Sequence, residues 1–543
     1  MEHQEYDYVI VGAGSAGCTL AARLTEDAGV RVLLLEAGGW DRSPYFHVPL
    51  GLGRLFGRRV YDWNYWVEPE PNLDNRRIDL TRGKVIGGCS SINVMAYVRG
   101  NRGDYDRWAA SGLTQWSYAH VLPYFRRQES WEGGASQFRG GDGPVGTVTT
   151  RFPDPVVKAF IAAGQDAGHP YVADFNGPQQ HGFSPGQATI RNGRRSSTAN
   201  AYLRPAMKRP NLRVEVRAHA TRVLIENGRA TGVEYLHDGA KRIARASREV
   251  ILSGGTINSP QLLQLSGVGD PAALSALGIE VKAALPSVGQ NLQDHLSVVV
   301  AWKRRNTGTF HRLMRLDRMG IAFMQAWLFG TGPGTILPGG FTAFLKTRAD
   351  ALLPDVQFLF RAVPEGAQPY LPFARPYEDG YTCRVVLLRP ESRGSVMLKS
   401  ADPLAAPRVR QNFLSSDKDR ATIRAGVRML RDIGSRAPLS EFNAGEIAPG
   451  PGVQDDAAID AFVRAGAHTA HHPLGTCRMG ADAQSVVDPE LRVRGVQGLR
   501  LVDASVMPDL VGGNINAAVI MVAERAADLI RGRTPLPPET VAA

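Results

Sequence analysis

Residues 6–39 read YDYVIVGAGSAGCTLAARLTEDAGVRVLLLEAGG, and this stretch decides the fold. Tyr8-Val9-Ile10-Val11 is a short apolar run of strand type, followed at once by Gly12-Ala13-Gly14-Ser15-Ala16-Gly17. Leu20, Ala21 and Leu24 then continue at helical spacing, and Val30–Leu35 is a second buried-strand run closing on Glu36-Ala37-Gly38-Gly39. Strand, glycine turn, helix, strand and acid in that order form a dinucleotide-binding unit. Gly12 permits the tight turn, Gly14 lets a pyrophosphate approach the backbone, and Gly17 allows helix and strand to pack closely. Ser15 and Ala16 open a helix whose free N–H groups and positive dipole end favour phosphate. The Glu36 carboxylate stands where it can accept hydrogen bonds from a ribose, with Ala37 and Gly38 beside it.

At 543 residues the chain exceeds one simple core, which implies two domains. Hydrophobic content of 43% and charged content of 21% describe an ordinary globular protein. The net charge of +11 is spread along the chain without a zinc, RNA-recognition or helix-turn-helix signature, which argues against nucleic acid as a partner. Four cysteines lack metal-type spacing and fit a reducing compartment. Met1–Glu5 has no signal-peptide character, and no apolar run reaches the ~18 residues of a membrane span, so the expected location is the cytoplasm.

Trp40–Asp79 is rich in aromatics, including Tyr45, Trp63 and Trp66, in a loop-like stretch suited either to covering a flat ring or to packing as a surface excursion. Arg82-Gly83-Lys84-Val85-Ile86-Gly87-Gly88-Cys89-Ser90-Ser91 reads as a second glycine-rich helix start, and one large ligand lying across both would account for the pair. Asn227-Gly228 between alternating runs predicts a hairpin. Ser259-Pro260 reads as a helix start, and Arg194-Arg195 as a solvated turn. Met314–Phe329 is an arginine-bearing amphipathic segment, either a lid over a pocket or a helix lying in a membrane surface. His468, His471 and His472 cluster without the carboxylate or cysteine companions of a metal site.

The N-terminal fingerprint, Arg82–Met95, Gly254–Leu263 and His471-His472-Pro473-Leu474-Gly475-Thr476-Cys477-Arg478-Met479-Gly480 together resemble the successive signatures of the glucose–methanol–choline (GMC) oxidoreductases, near their bacterial choline- and alcohol-dehydrogenase-like branch. The similarity runs from about residue 6 to about residue 532. It implies an α/β chain with a discontinuous Rossmann-like FAD-binding domain (1–155, 205–300 and 465–535). An inserted α+β substrate domain on an antiparallel sheet would take 156–204 and 301–464, and 536–543 is expected to be a disordered tail. It also implies FAD contacts for Trp66, Val85, Gly87, Gly88, Asn93, Val94, Met95, Ala96, the backbone of Val223, His471, Asp503 and Ala504. Some members bond the flavin through a histidine where this chain has Ile92, so the resemblance implies non-covalent FAD. Choline-oxidising members place a glutamate where this chain has Gly340, which leaves a quaternary cation without a partner and favours an uncharged primary alcohol.

An alcohol becomes a good hydride donor only as its hydroxyl proton leaves, so the site needs a base near the hydroxyl. Imidazole suits that task near neutrality. The family pattern assigns the base to His472 and the partner position to Asn516, while His468 and His295 read as structural. The electron acceptor is expected to be a quinone or dye, with Val94 hindering oxygen; an oxygen-using oxidase and a non-redox flavoprotein or lyase are the alternatives. Peripheral contact with a membrane through residues 312–329 is compatible with the quinone reading.

Overall fold

The computed structural model describes residues 5–337 and 339–541. β1 (Glu5–Val11) turns through the glycines into α1 (Ser15–Leu24), which leads to β2 (Val32–Glu36), parallel to β1 with Tyr8 opposite Val32. All five residues of β2 are buried, because helices and loops cover both faces of this sheet. The second glycine turn leads into the short helix α2 (Cys89–Ile92). β3 (Leu212–Val216) extends the sheet beyond β2. β4 (Ala218–Glu226) and β5 (Arg229–His237) form the expected hairpin, with positive φ at both Asn227 and Gly228. The long β6 (Ala240–Leu252) pairs with β5 at its start and runs parallel to β1 at its end, giving the order β3-β2-β1-β6-β5-β4.

α3 (Gly255–Leu265) begins four residues before the expected Ser259-Pro260 start, so Pro260 lies inside the helix. The Thr256 carbonyl, which a proline at 260 cannot use, accepts the Thr476 hydroxyl instead at 2.7 Å. Thr256 in turn donates to the Pro473 carbonyl at 2.7 Å. These two bonds fasten the His-Pro-Leu-Gly-Thr run to the nucleotide half of the molecule.

A second sheet follows. β7 (Leu296–Arg304) already belongs to it, although residues to 300 were expected on the nucleotide side; its antiparallel partners lie in the later strands. After α4 (Leu316–Phe329) come β8 (Gly339–Leu345), β9 (Val356–Arg361) and β10 (Gly380–Leu387), then α5 (Asp417–Ser435) and β11 (Asn443–Ala448). The order is β11-β7-β10-β9-β8, closed by Gly182–Pro185, and every pairing is antiparallel. Ile423, Val427, Leu430 and Ile433 of α5 share a core with Phe358, Cys383 and Val385, on one face of the sheet.

The chain then returns. β12 (Leu499–Leu501) joins β6, and α6 (Asn516–Ile530) packs beside α1. The tail expected to be disordered is instead docked as far as it is described: Leu536 N–H donates to Tyr124, Glu539 N–H to the Ala119 carbonyl, Glu539 pairs with Arg126, and Val541 is buried. A leucine, an acid and a valine that all find partners overcome the proline-rich composition. Residues 542 and 543 lie outside the described range, as do residues 1–4.

Candidate active site

A cavity of about 1490 Å³ lies between the two sheets, walled by Val11 and Leu35 on one side and by Leu359 and Arg384 on the other. It opens where the parallel strands end, the place such sheets bind ligands. Gly12 has φ 97°, and a Cβ there would stand 2.5 Å from the Ser253 carbonyl; one on Gly17 would stand 1.9 Å from that of Gly12. These two glycines are dictated by the fold itself. Gly14 is different: a side chain on it would meet no protein atom within 4 Å and would project into the cavity. The same is true of Gly255. No side chain caps α1 or α6, so two bare helix N-termini border the cavity, while the first N–H of α3 is taken by Asp503. A long ligand with a dianionic centre fits this donor set.

The two glycine turns touch. Gly87 N–H donates to the Ala13 carbonyl at 2.7 Å, and a Cβ on Gly88 would lie 2.8 Å from Gly14 Cα. The cavity wall on this side comprises Gly12, Gly14, Ser15 and Ala16 from the first turn and Gly88, Asn93, Val94 and Ala96 from the second. Glu36 and Ala37 follow at the end of β2, with Asp503, Ala504 and Asn516 from the returning chain. Glu36 accepts from Ala13 N–H at 3.0 Å and Gly38 N–H at 2.8 Å; burial pushes its pKa up to about 7. Asp503 accepts from Gly255 N–H, from Ser259 Oγ and from Ser505. Ile92 lines the cavity at the end of α2.

Several expected contacts fall elsewhere. Gly17, Gly38, Val85, Gly87 and Met95 sit behind the wall, where they shape the turns. Trp66 is exposed because β-alternation turns Tyr65 inward; Trp63, stacked on Tyr65 at 5.9 Å, reaches the cavity in its place. Val223 is buried in the core and its N–H donates to Ser266; the part of β4 at the cavity is Ala218–Ala220. Arg195 is no solvated turn: it is buried and donates to the carbonyls of Phe46, Ser90 and Asn93.

His472 is held from both sides. Its N–H donates to Asp294 at 2.8 Å, and Pro473 and Thr476 beyond it are pinned to α3 as described. Its ring makes two bonds, Nδ1 to His295 Nδ1 at 3.0 Å and Nε2 to Asn514 Nδ2 at 2.9 Å. The protons can be placed by elimination. His295 Nε2 faces the Leu388 carbonyl at 3.1 Å and must donate to it, so a neutral His295 is an acceptor at Nδ1. His472 then carries its proton on Nδ1 and presents a lone pair at Nε2, which accepts from the Asn514 amide. Burial, then the neighbouring His295 and Arg82, hold the His472 pKa well below 6.5; burial takes His295 and His471 down to about 3.

Asn514, not Asn516, is therefore the residue beside His472. Asn516 is the first residue of α6, and its Oδ1 accepts from Ser15 at 2.7 Å, tying α6 to the first glycine turn. Asn514 Oδ1 is buried and makes no hydrogen bond among the described residues. His295 supports His472, in keeping with a structural reading, but its control of the ring tautomer is invisible in sequence. His471, with φ 63°, turns into the cavity while Arg82 grips its carbonyl at 2.6 Å. His468 is exposed and faces Arg76.

α4 roofs part of the cavity. Met319, Gly320 and Phe323 line it, while Ile321, Leu328 and Phe329 are exposed on the outer side. No helix among the described residues is long and apolar enough to cross a membrane.

Comparison with known proteins gives a consistent result. The N-terminal GMC oxidoreductase family model matches residues 6–297 and the C-terminal one residues 390–523. Mouse mitochondrial choline dehydrogenase is 44% identical over 99% of this chain and 91% of its own length. An oxygen-dependent choline dehydrogenase of Pseudomonas putida is 45% identical over 99% and 96%. Among solved structures, pyridoxine 4-oxidase from Mesorbium loti superposes with TM-score 0.87 at 31% identity, covering 97% of this chain and 100% of its own. A formate oxidase gives 0.90 at 27%, covering 98% and 99%.

Proposed function

Because the chain belongs to the GMC oxidoreductase family and is an FAD-dependent oxidoreductase acting on CH–OH donors, we propose that it oxidises a primary alcohol to the aldehyde, with His472 as base and Asn514 as hydroxyl partner. The observation that carries this reading is the His472 tautomer: a buried imidazole whose only unprotonated nitrogen points at Asn514 beside the cavity. The alcohol oxygen takes its place between His472 Nε2 and the Asn514 amide, and Asn514 Oδ1, otherwise unpaired, accepts from bound substrate or water. His472 removes the hydroxyl proton, and the amide N–H steadies the negative charge left on oxygen.

The pyrophosphate of FAD would lie on the bare N-terminus of α1 at Gly12, Gly14, Ser15 and Ala16, and its adenosine ribose on Glu36. Gly88, Asn93, Val94, Ala96, His471, Asp503, Ala504 and Asn516 would hold the remainder, with Ile92 leaving the ring unlinked. When bound, FAD accepts a hydride from the carbinol carbon. Choline, which the named relatives act on, is a poor fit at Gly340, which brings no carboxylate to the wall. For reoxidation we favour a quinone or dye over oxygen, because Val94 occupies the cavity wall and the apolar outer side of α4, flanked by exposed Arg312 and Arg318, suits an anionic membrane surface where quinone dissolves.

The test is an anaerobic screen of alcohols against the purified yellow protein. Bleaching of the flavin by a primary alcohol, followed by faster reoxidation with a soluble quinone than with air-saturated buffer, is the expected result. A flavin that no alcohol bleaches would overturn the reading in favour of a non-redox role; equally fast reoxidation by oxygen with stoichiometric peroxide would make the enzyme an oxidase.

A further inference from the structure

The face of the second sheet opposite α5 forms a wall of the cavity. On β9 this face carries Gln357, Leu359 and Arg361; on β10 it carries Thr382 and Arg384. The strands are antiparallel, with Leu359 opposite Arg384 and Arg361 opposite Thr382. Arg361 and Arg384 are thus diagonal neighbours on one face, about 7–8 Å apart at the backbone, a spacing that long side chains bridge. The charge of Arg384 reaches His471, next to the base, which places it at the reacting end of the cavity.

Neither arginine has a counter-ion among the described residues. Arg384 donates to Ser297 Oγ at 3.2 Å, and neither it nor Arg361 forms an ion pair there. Elsewhere, Arg99 and Arg139 pair with Glu129 and Arg304 with Asp154, while buried Arg195 rests on carbonyls and buried Arg525 lies over the Trp116 ring. Arg361 is exposed to the water of the open cavity and Arg384 is half-buried; a guanidinium in such a wall without a carboxylate or a set of carbonyls is costly once a ligand that brings no anion displaces that water. One acid, the exposed Glu365, lines the same region, and its charge reaches both arginines without ion-pair contact. Arg82, the other cation near the base, has its guanidinium on the Thr81 and His471 carbonyls. Glu36 and Asp503 are engaged by the glycine turns. The substrate wall is therefore net positive. The missing glutamate at Gly340 speaks against a cationic substrate, but it does not speak against an anionic one.

We propose that the alcohol bears an anionic group, a carboxylate or a phosphate ester, held jointly by Arg361 and Arg384 while its hydroxyl meets His472. This rests on the alcohol-oxidising reading above and names its substrate class: hydroxy acids or their phosphorylated counterparts. Two guanidinium forks on adjacent strands offer parallel N–H donors to one anion, a recognition that the single charge of a lysine reproduces poorly. Choline would bring a third positive charge into the same wall.

The experiment uses FAD-loaded full-length enzyme and three chain-matched sets: ω-hydroxy carboxylates of three to six carbons with the corresponding diols, hydroxyalkyl phosphates, and choline. The expected result is a kcat/KM for one anionic set at least ~10-fold above the diols, falling as salt is raised, with choline slowest. In Arg384→Met and Arg361→Met the ratio of anion to diol should collapse toward one, and Arg384→Lys should recover part of it. A second readout needs no turnover: non-reactive carboxylates such as butanoate, or inorganic phosphate, should perturb the flavin spectrum of wild type and not of Arg384→Met. The relative rates of the carboxylate and phosphate sets decide between the two anions. Diols and choline bleaching the flavin as well as either anionic set in wild type would overturn the proposal while leaving alcohol oxidation intact. Failure of every alcohol would instead remove the reading on which it rests. The wild-type profile is by itself enough to overturn the proposal, so a variant that fails to fold does not shelter it.

Discussion

His472→Ala takes away the unprotonated ring nitrogen that faces Asn514, so flavin reduction should slow by ~10²–10⁴-fold while the bound FAD spectrum persists. Asn514→Ala should cost less, and Asn516→Ala should weaken FAD retention more than it slows proton removal, because Asn516 is tied to Ser15. Rapid-mixing measurement of flavin bleaching checks all three; a silent Asn514→Ala beside a crippled Asn516→Ala would reverse the assignment. The pH dependence follows from the sign of the shift. Burial and the adjacent His295 lower the His472 pKa, so the ring stays neutral, and able to accept a proton, well below its ordinary value of 6.5. The rate of substrate-dependent flavin reduction should stay level as pH falls through 6.5 and decline only further down. A half-maximal rate at or above pH 6.5 would show that this environment does not depress the base. The histidine chosen from the sequence as base lies in the cavity wall against Asn514, two residues from the asparagine expected as its partner. Which asparagine faces the histidine depends on where α6 begins, and nothing local marks Asn514 as loop and Asn516 as helix.

The glycine turns belong to the scale of elements. Gly17→Ala would drive a methyl into the Gly12 carbonyl, so α1 must move away from β1, and the protein should purify with little FAD and a lowered melting temperature. Gly14→Ala meets no protein atom, so its folding stability without FAD should match wild type while its FAD affinity drops, which titration of apoprotein with FAD would reveal. Full FAD affinity in Gly14→Ala would mean that the ligand avoids this turn. This unit was legible because strand, turn, helix and acid are contiguous and each glycine answers a local demand. Trp66, Val223, Arg361 and Arg384 were not, since which side of a strand meets a cavity depends on partners far away in sequence. α4 was legible as amphipathic, and both of its readings find an observation: an inner side on the cavity and an exposed apolar outer side. The enzyme should float with anionic vesicles and sediment free of neutral ones, and Ile321→Ser with Phe329→Ser should abolish flotation. No difference between the vesicle types would leave α4 as a lid alone.

For the whole molecule, the expected property is a cofactor held by shape and not by a bond. Heat or acid should release all of the yellow colour as intact FAD, because Ile92 offers no nucleophile at the end of α2. Colour remaining with the precipitate would point to another anchoring residue. Length and composition foretold more than one core, and two large ones lie among the described residues, but the return of the chain was legible only through its motifs.

That return has a consequence for how the protein comes into being. The first turn of the cofactor cradle is translated before the second sheet, yet Asp503, Asn514 and Asn516, with β12 and α6, emerge only after that sheet is complete. A nascent chain therefore carries an open, half-built cleft until β12 and α6 have emerged, and cofactor loading has to wait for them. A premature stop anywhere before α6 yields no partial enzyme, however much of the dinucleotide-binding unit it contains.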